Sequence, residues 1–139
     1  MATTVRSGYS GTPLARKLGI KPGHRVLVHG APDDCARLLA PLPEGVVFAR
    51  RAGPDVDLVH LYATAREDLA TRLARLRKAL RADAALWVSW PKRASKVATT
   101  ITEDTIRELA LPLGYVDIKV CAVDAVWSGL KLVVRKSLR

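Results

Sequence analysis

Two histidines, two cysteines and a few serines are the side chains in this sequence whose chemistry could reach beyond packing. His29 closes one Val/Leu-rich run and His60 lies inside another, so their imidazoles would stand close together if those runs pair as neighbouring strands. Such a pair could share a proton or offer two nitrogens to a metal. A metal site wants three or more ligands, and only Asp33 and Cys35 lie nearby in sequence, so satisfied structural histidines and no metal are expected. Ser89, Ser95 and Ser128 lack the Gly-x-Ser-x-Gly turn of a hydrolase nucleophile, and Cys35 has no evident His and Asn support. Cys35 and Cys121 are far apart, with no Cys-x-x-Cys, and read as two buried free thiols.

Trp87, Trp90 and Trp127 combine with Lys92, Arg93, Lys96 and Lys131 to bring π faces and positive charge together, as single-stranded nucleic acid or a nucleotide base would use. The competing reading is core filling with one wet indole edge. Lys and Arg total 23 against 13 Asp and Glu, a net charge of +10. That field favours phosphates, nucleic acid or acidic proteins without choosing among them. Arg72, Arg75, Arg77 and Arg81 read equally well as the solvated face of a helix.

The elements that must position these groups follow from pattern. Leu14 to Ile20 is a short helix stopped at Gly19, and Arg25 to His29, between Gly23 and Gly30, is a buried parallel strand. Ala31-Pro32-Asp33-Asp34 starts a helix running to about Leu39 and ended by Pro41 and Pro43. Strands follow at 46–49 and 57–62. The stretch between them is too short for a crossover helix, so either the first of the two is an edge or the loop reaches a non-adjacent position. Leu69, Leu73, Leu76 and Leu80 mark an amphipathic helix over 66–81. A strand over 85–90 is broken by Pro91, and a capping box, Thr100 to Glu103, opens a helix to about Leu111. A hairpin closes the chain, with its turn near Trp127-Ser128-Gly129. Val116, Ile118, Val120, Leu130 and Leu132 form its apolar face, expected to lie against a helix, so that Ile118→Asp would be severely destabilising.

The sum is one α/β domain over residues 1–139, a Rossmann-like three-layer sandwich. Its mostly parallel sheet is closed by a C-terminal antiparallel hairpin, with one antiparallel strand at the edge. No stretch approaches the roughly 20 apolar residues of a membrane helix, and the first ten residues lack an apolar signal region, so a cytoplasmic protein is expected.

The order Leu-Gly-Ile-Lys-Pro-Gly-His-Arg-Val-Leu-Val, "DVDLV", helix, "LWVSW", helix, Gly114-Tyr115 and hairpin resembles class I S-adenosylmethionine methyltransferases over most of the chain. The resemblance implies a Gly-rich cofactor loop after the first strand and an acid after the second. Here His29-Gly30-Ala31-Pro32-Asp33 supplies one glycine, and Arg50-Arg51 stands at the acid's place. The stretches 8–14, Trp90-Pro-Lys92, Thr102-Glu-Asp104, 110–114, 116–124 and Trp127-Ser-Gly-Leu-Lys131 are more closely similar to the bacterial family called domain of unknown function 3052. That family implies no reaction.

From these observations the expected function is that of a non-catalytic binding or regulatory domain on a degenerate methyltransferase scaffold, with an anionic or phosphate-bearing ligand. No cofactor is expected, and S-adenosylmethionine is not expected to bind at ordinary strength. Nucleic-acid binding through the basic surface and an atypical methyltransferase are the alternatives. In open α/β sheets ligands sit beyond the carboxyl ends of the strands, which brings together Gly30 to Asp33, Tyr62 to Thr64 and Trp90 to Lys96. The candidate binding residues are Ser10, Gly11 and Thr12 as part of a lid, Gly30 and Asp33 in the first loop, Tyr62, an apolar wall at Trp90, charges from Lys92 and Lys96, and a hydroxyl from Ser95.

Overall fold

Val- and Leu-rich runs too short for helices, bounded by Gly, Pro and Asp, become six strands of one sheet. The computed structural model describes residues 13–32 and 39–139. The strands are β1 (Arg25–His29), β2 (Val47–Phe48), β3 (Leu58–Tyr62), β4 (Ala85–Pro91), β5 (Tyr115–Ala122) and β6 (Trp127–Val134), in the order β2-β1-β3-β4-β6-β5. β2 and β3 lie on opposite sides of β1, both parallel to it, and β4 continues parallel to β3. β2 is thus an edge strand and the short segment after it leads to a non-adjacent position, as its length requires.

β6 runs antiparallel to β4, and β5 antiparallel to β6. The antiparallel strand is therefore interior, and β5 takes the edge, which corrects the expected arrangement. Composition explains it: Leu130, Leu132 and Val134 of β6 are buried, whereas β5 carries Asp117 and Lys119, charges suited to an open edge. The hairpin turn also moves. Asp124 Oδ1 accepts the backbone N–H groups of Val126 and Trp127, each at 2.8 Å, and this side-chain turn reverses the chain ahead of Trp127. Gly129 belongs to β6, where a Cβ would meet Ser89 Oγ and the Trp87 ring, each at 3.2 Å. Close packing against β4, and no turn, is what favours a glycine there.

The helices with described bounds are α1 (Leu14–Leu18), α2 (Arg66–Ala79) and α3 (Glu103–Ala110). α1 ends at Gly19 with φ 83°, as expected. α2 buries Leu69, Leu73 and Leu76 and, with α3, covers the face carrying Val59, Leu61, Val88, Trp90, Leu130 and Leu132. α1 covers the other face over Val26, Leu58 and Trp87, whose Nε1–H donates to Leu18 O at 2.8 Å, satisfying the buried indole. The helix expected from Ala31 to about Leu39 falls largely outside the described residues.

Local chemistry corrects two boundaries. The cap of α3 is Thr102, reciprocated by Thr105, because the Thr100 hydroxyl is engaged with the N–H of Arg66 at 2.8 Å, and Glu103 is held by Arg107. β4 continues through Pro91, since β3 has already ended opposite Ser89 and no ladder bond is lost on that side.

β5 also departs from strict alternation. Its register steps from Asp117 opposite Leu132 to Lys119 opposite Lys131, leaving Ile118 as a bulge. Ile118 and Val120 are 55% and 50% exposed, so the expected apolar face is not formed on this strand, and only its β6 members, Leu130 and Leu132, reach the core.

Candidate functional site

The carboxyl ends of β1, β3 and β4 form one rim, and Gly30 begins it. Its φ is 73°, and a Cβ there would stand 2.7 Å from the carbonyl oxygen of Tyr62 at the end of β3. Only glycine lets the chain leave β1 so close to its neighbour. Gly30 and Tyr62 are thus brought together, through backbone.

The Tyr62 side chain is buried on the α1 side of the sheet, its ring 4.2 Å from the His60 ring and edge-on to Trp127 at 5.0 Å. His60 is fully enclosed, and its Nε2 lies 2.6 Å from Ser89 Oγ while Nδ1 has no hydrogen-bond partner. Burial pushes its pKa down to about 3, so the ring is neutral. The register sets Val28 opposite His60 and His29 opposite Leu61, so the two imidazoles point to opposite faces of the sheet and cannot share a proton or a ligand. Among the described residues no group of three His, Cys, Asp or Glu is placed to hold a metal.

The remaining candidates divide. Trp90 is buried among the residues packed against α2 and α3, across the sheet from Tyr62. Lys92 is half-buried, and its backbone N–H donates to Val126 O. The Ser95 hydroxyl donates to Lys92 O at 2.7 Å and accepts from Val97 N–H, so it closes the loop after β4. Lys96 is exposed in the left-handed region, φ 62°. Ser10, Gly11, Thr12 and Asp33 lie outside the described residues.

Beside β2 a cleft of about 550 Å³ opens, lined by Arg25 and the 48–55 segment. Arg25 pairs with Asp55 at 3.2 Å. Arg50 and Arg51, also on the lining, are exposed and have no carboxylate partner among the described residues. The signal for this cleft was the Arg-Arg pair itself, next to a strand end.

The architecture has relatives among solved structures. A SAM dependent methyltransferase from Aquifex aeolicus superposes with a TM-score of 0.61 at 13% identity, covering 88% of this chain and 88% of that one. A TehB-like SAM-dependent methyltransferase from Corynebacterium glutamicum gives 0.55 at 13% identity, covering 92% and 90%. Aeropyrum pernix fibrillarin, solved with natively bound S-adenosyl-L-methionine, gives 0.56 at 16% identity, covering 91% of this chain and 71% of that one. No family model and no curated protein sequence matches the chain. The fold is thus a Rossmann-like α/β fold of the kind found in class I methyltransferases. Among the described residues no helix is long and apolar enough to cross a membrane.

Proposed function

We propose that this chain is a small, atypical S-adenosylmethionine-dependent methyltransferase that takes its cofactor weakly over the carboxyl end of β1. The observation that carries the reading is Gly30. The backbone there is held in a conformation, and at a distance from Tyr62 O, that no side chain tolerates, at the point where Rossmann-like folds bring backbone against a nucleotide ligand. The likeness of fold to S-adenosylmethionine enzymes supports the same reading. It departs from the expectation that no cofactor is held, which rested on the single glycine and the missing acid.

The fit is partial, and its defect predicts a magnitude. Where the resemblance implies a carboxylate after β2, this chain has Arg50-Arg51. Losing a charge-assisted hydrogen bond costs about 1.5–3 kcal/mol, a weakening of roughly 10- to 150-fold. When bound, the cofactor supplies an electrophilic methyl group. The chain's own residues do the holding: the Gly30 turn admits the nucleoside, and Lys92 and Lys96 set positive charge on the same rim. Ser10 to Thr12 as a lid, Asp33, and membership of the domain of unknown function 3052 family belong to this proposal too.

Arg50 and Arg51 favour a second reading, non-catalytic binding of a phosphate-bearing nucleotide, because guanidinium forks beside a cleft match phosphate oxygens. Isothermal calorimetry with S-adenosylmethionine and, separately, adenosine 3′,5′-bisphosphate decides between them. The methyltransferase reading expects a dissociation constant of about 10–100 µM for S-adenosylmethionine, tightened about tenfold by Arg50→Glu. No heat with S-adenosylmethionine at about 1 mM, with binding of the bisphosphate, would leave the second reading standing. Silence toward both would sink both.

A further inference from the structure

β5 and β6 set two lysines directly opposite each other, Lys119 against Lys131. Like charges facing across a strand pair destabilise a sheet, so the arrangement needs a reason other than stability. Two more lysines converge on the same place from α1 and the turn after it. Lys17 Nζ lies 3.4 Å from Ala122 O at the end of β5, and the Lys131 ammonium lies 3.8 Å from where a Cβ on Gly19 would stand. The Lys131 ammonium feels Lys119 and Lys21 as repulsive neighbours, and the Cys121 thiol of β5, packed toward the α1-side core, feels Lys17 and Lys119. Partial burial, reinforced by those two cations, holds the Lys131 pKa below its usual value.

Among the described residues no carboxylate pairs with any of the four. Nearby acids are already committed: Asp117 is held by Arg107, and Asp124 closes the hairpin turn. Lys21 and Lys119 are exposed, while Lys17 and Lys131 are half-buried between α1 and the sheet. The result is a half-buried cluster of positive charge with no carboxylate counterion among the described residues.

We propose that Lys17, Lys21, Lys119 and Lys131 form a binding site for the phosphate backbone of a single-stranded nucleic acid. A nucleic acid strand is a dense linear polyanion able to set several phosphates against several lysines at once, and it gains by releasing its condensed counterions. A flat anionic membrane would meet the exposed Lys21 and Lys119 but engage the half-buried Lys17 and Lys131 less readily than a flexible strand does. The site lies on the α1 side of the sheet toward the β5 edge, away from Gly30, and stands whether or not the proposed methyltransferase reading holds.

The test is fluorescence anisotropy with a labelled single strand of about 20 nucleotides, longer than one compact module covers, titrated across salt concentrations. The wild type is expected to bind with log K falling linearly in log salt. Lys119→Gln with Lys131→Gln is expected to weaken binding by about 10- to 30-fold near 0.1 M salt and to reduce the slope by about 1.4. The same variant is expected to melt at or above the wild-type temperature, because relieving like-charge repulsion does not unfold a protein, and Lys119→Gln alone serves should the pair misbehave. Arg75→Gln with Lys78→Gln removes equal charge from the exposed face of α2, across the sheet, and is expected to change binding less than about threefold, a background charge effect. Equal losses in both variants, or wild-type binding by the cluster variant, would overturn the proposal. So would failure of the wild type to bind the strand at low salt, or capture by phosphatidylserine vesicles in its place.

Discussion

His60 sits where a charge is least welcome. It lies in a strand whose five residues are all buried, one ring nitrogen against Ser89 and the other facing no partner. Its place in the strand beside His29's had suggested proton sharing, but the register turns the two rings to opposite faces of the sheet and enclosure keeps His60 neutral. The consequence is a pH dependence with a definite sign. The folded-state pKa of about 3 lies below the ordinary 6.5, so between those values the unfolded chain holds a proton that the folded chain refuses. This contribution is complete above about pH 6.5 and is lost as pH falls toward 3, at roughly 1.4 kcal/mol per pH unit. His60→Gln keeps a polar partner for Ser89 and does not titrate. Urea denaturation is expected to show the wild type losing about 2 kcal/mol more than the variant between pH 6 and 4; parallel curves would mean that the folded protein accepts the proton.

The strands were legible where burial on both faces writes itself as an unbroken Val/Leu run, as in Arg25 to His29 and Leu58 to Tyr62. The hairpin was not, because two local signals misled. Gly129 read as a turn residue although close packing within β6 favours it, and the period-two pattern of 116–120 could not reveal a bulge that turns Ile118 outward. The capping box shifted for a similar reason, since Thr100 had a distant partner in Arg66. The corrected hairpin reverses an expectation. Ile118→Asp, at a position 55% exposed on an edge strand, is expected to change stability by no more than about 0.5 kcal/mol. Leu132→Asp, fully buried in β6 between β4 and β5, is expected to cost more than about 4 kcal/mol or prevent folding, by burying an unpaired charge. Equal melting temperatures for the two variants would contradict the bulge.

Over the whole molecule the excess of positive charge is unevenly compensated. Arg25, Arg66, Arg72, Arg81 and Arg107 take up Asp55, Glu108, Asp68, Asp57, Asp83, Glu103, Asp104 and Asp117, so most of the 13 acids are spent on a few arginines. One of these contacts is more than a surface pair: Asp57, held below the usual carboxylate range by the Arg25 backbone N–H and by Arg81, ties the start of β3 to β1 and to the end of α2. The lysines on the α1 side are left facing one another. The charge total was legible in the composition, but this segregation was not, because it depends on which residues the register sets opposite and where α1 comes to rest. The rim at Gly30 was legible because a strand followed by glycine marks it, whereas the Trp90 side chain could be assigned to neither face before the sheet was known. Exposed ion pairs contribute little each and are screened by salt, but so is the repulsion of a net +10 confined to a small domain. With most of the acids already paired and cations in surplus, the repulsive part is the larger. Raising sodium chloride from about 0.02 M to 0.5 M, which shortens the screening length from roughly 20 Å to about 4 Å, is therefore expected to raise the urea midpoint at neutral pH. The rise should be smaller in the Lys119→Gln, Lys131→Gln protein, which lacks the like-charge pair. A midpoint that falls with salt in the wild type would mean that the arginine pairs outweigh the lysine repulsion.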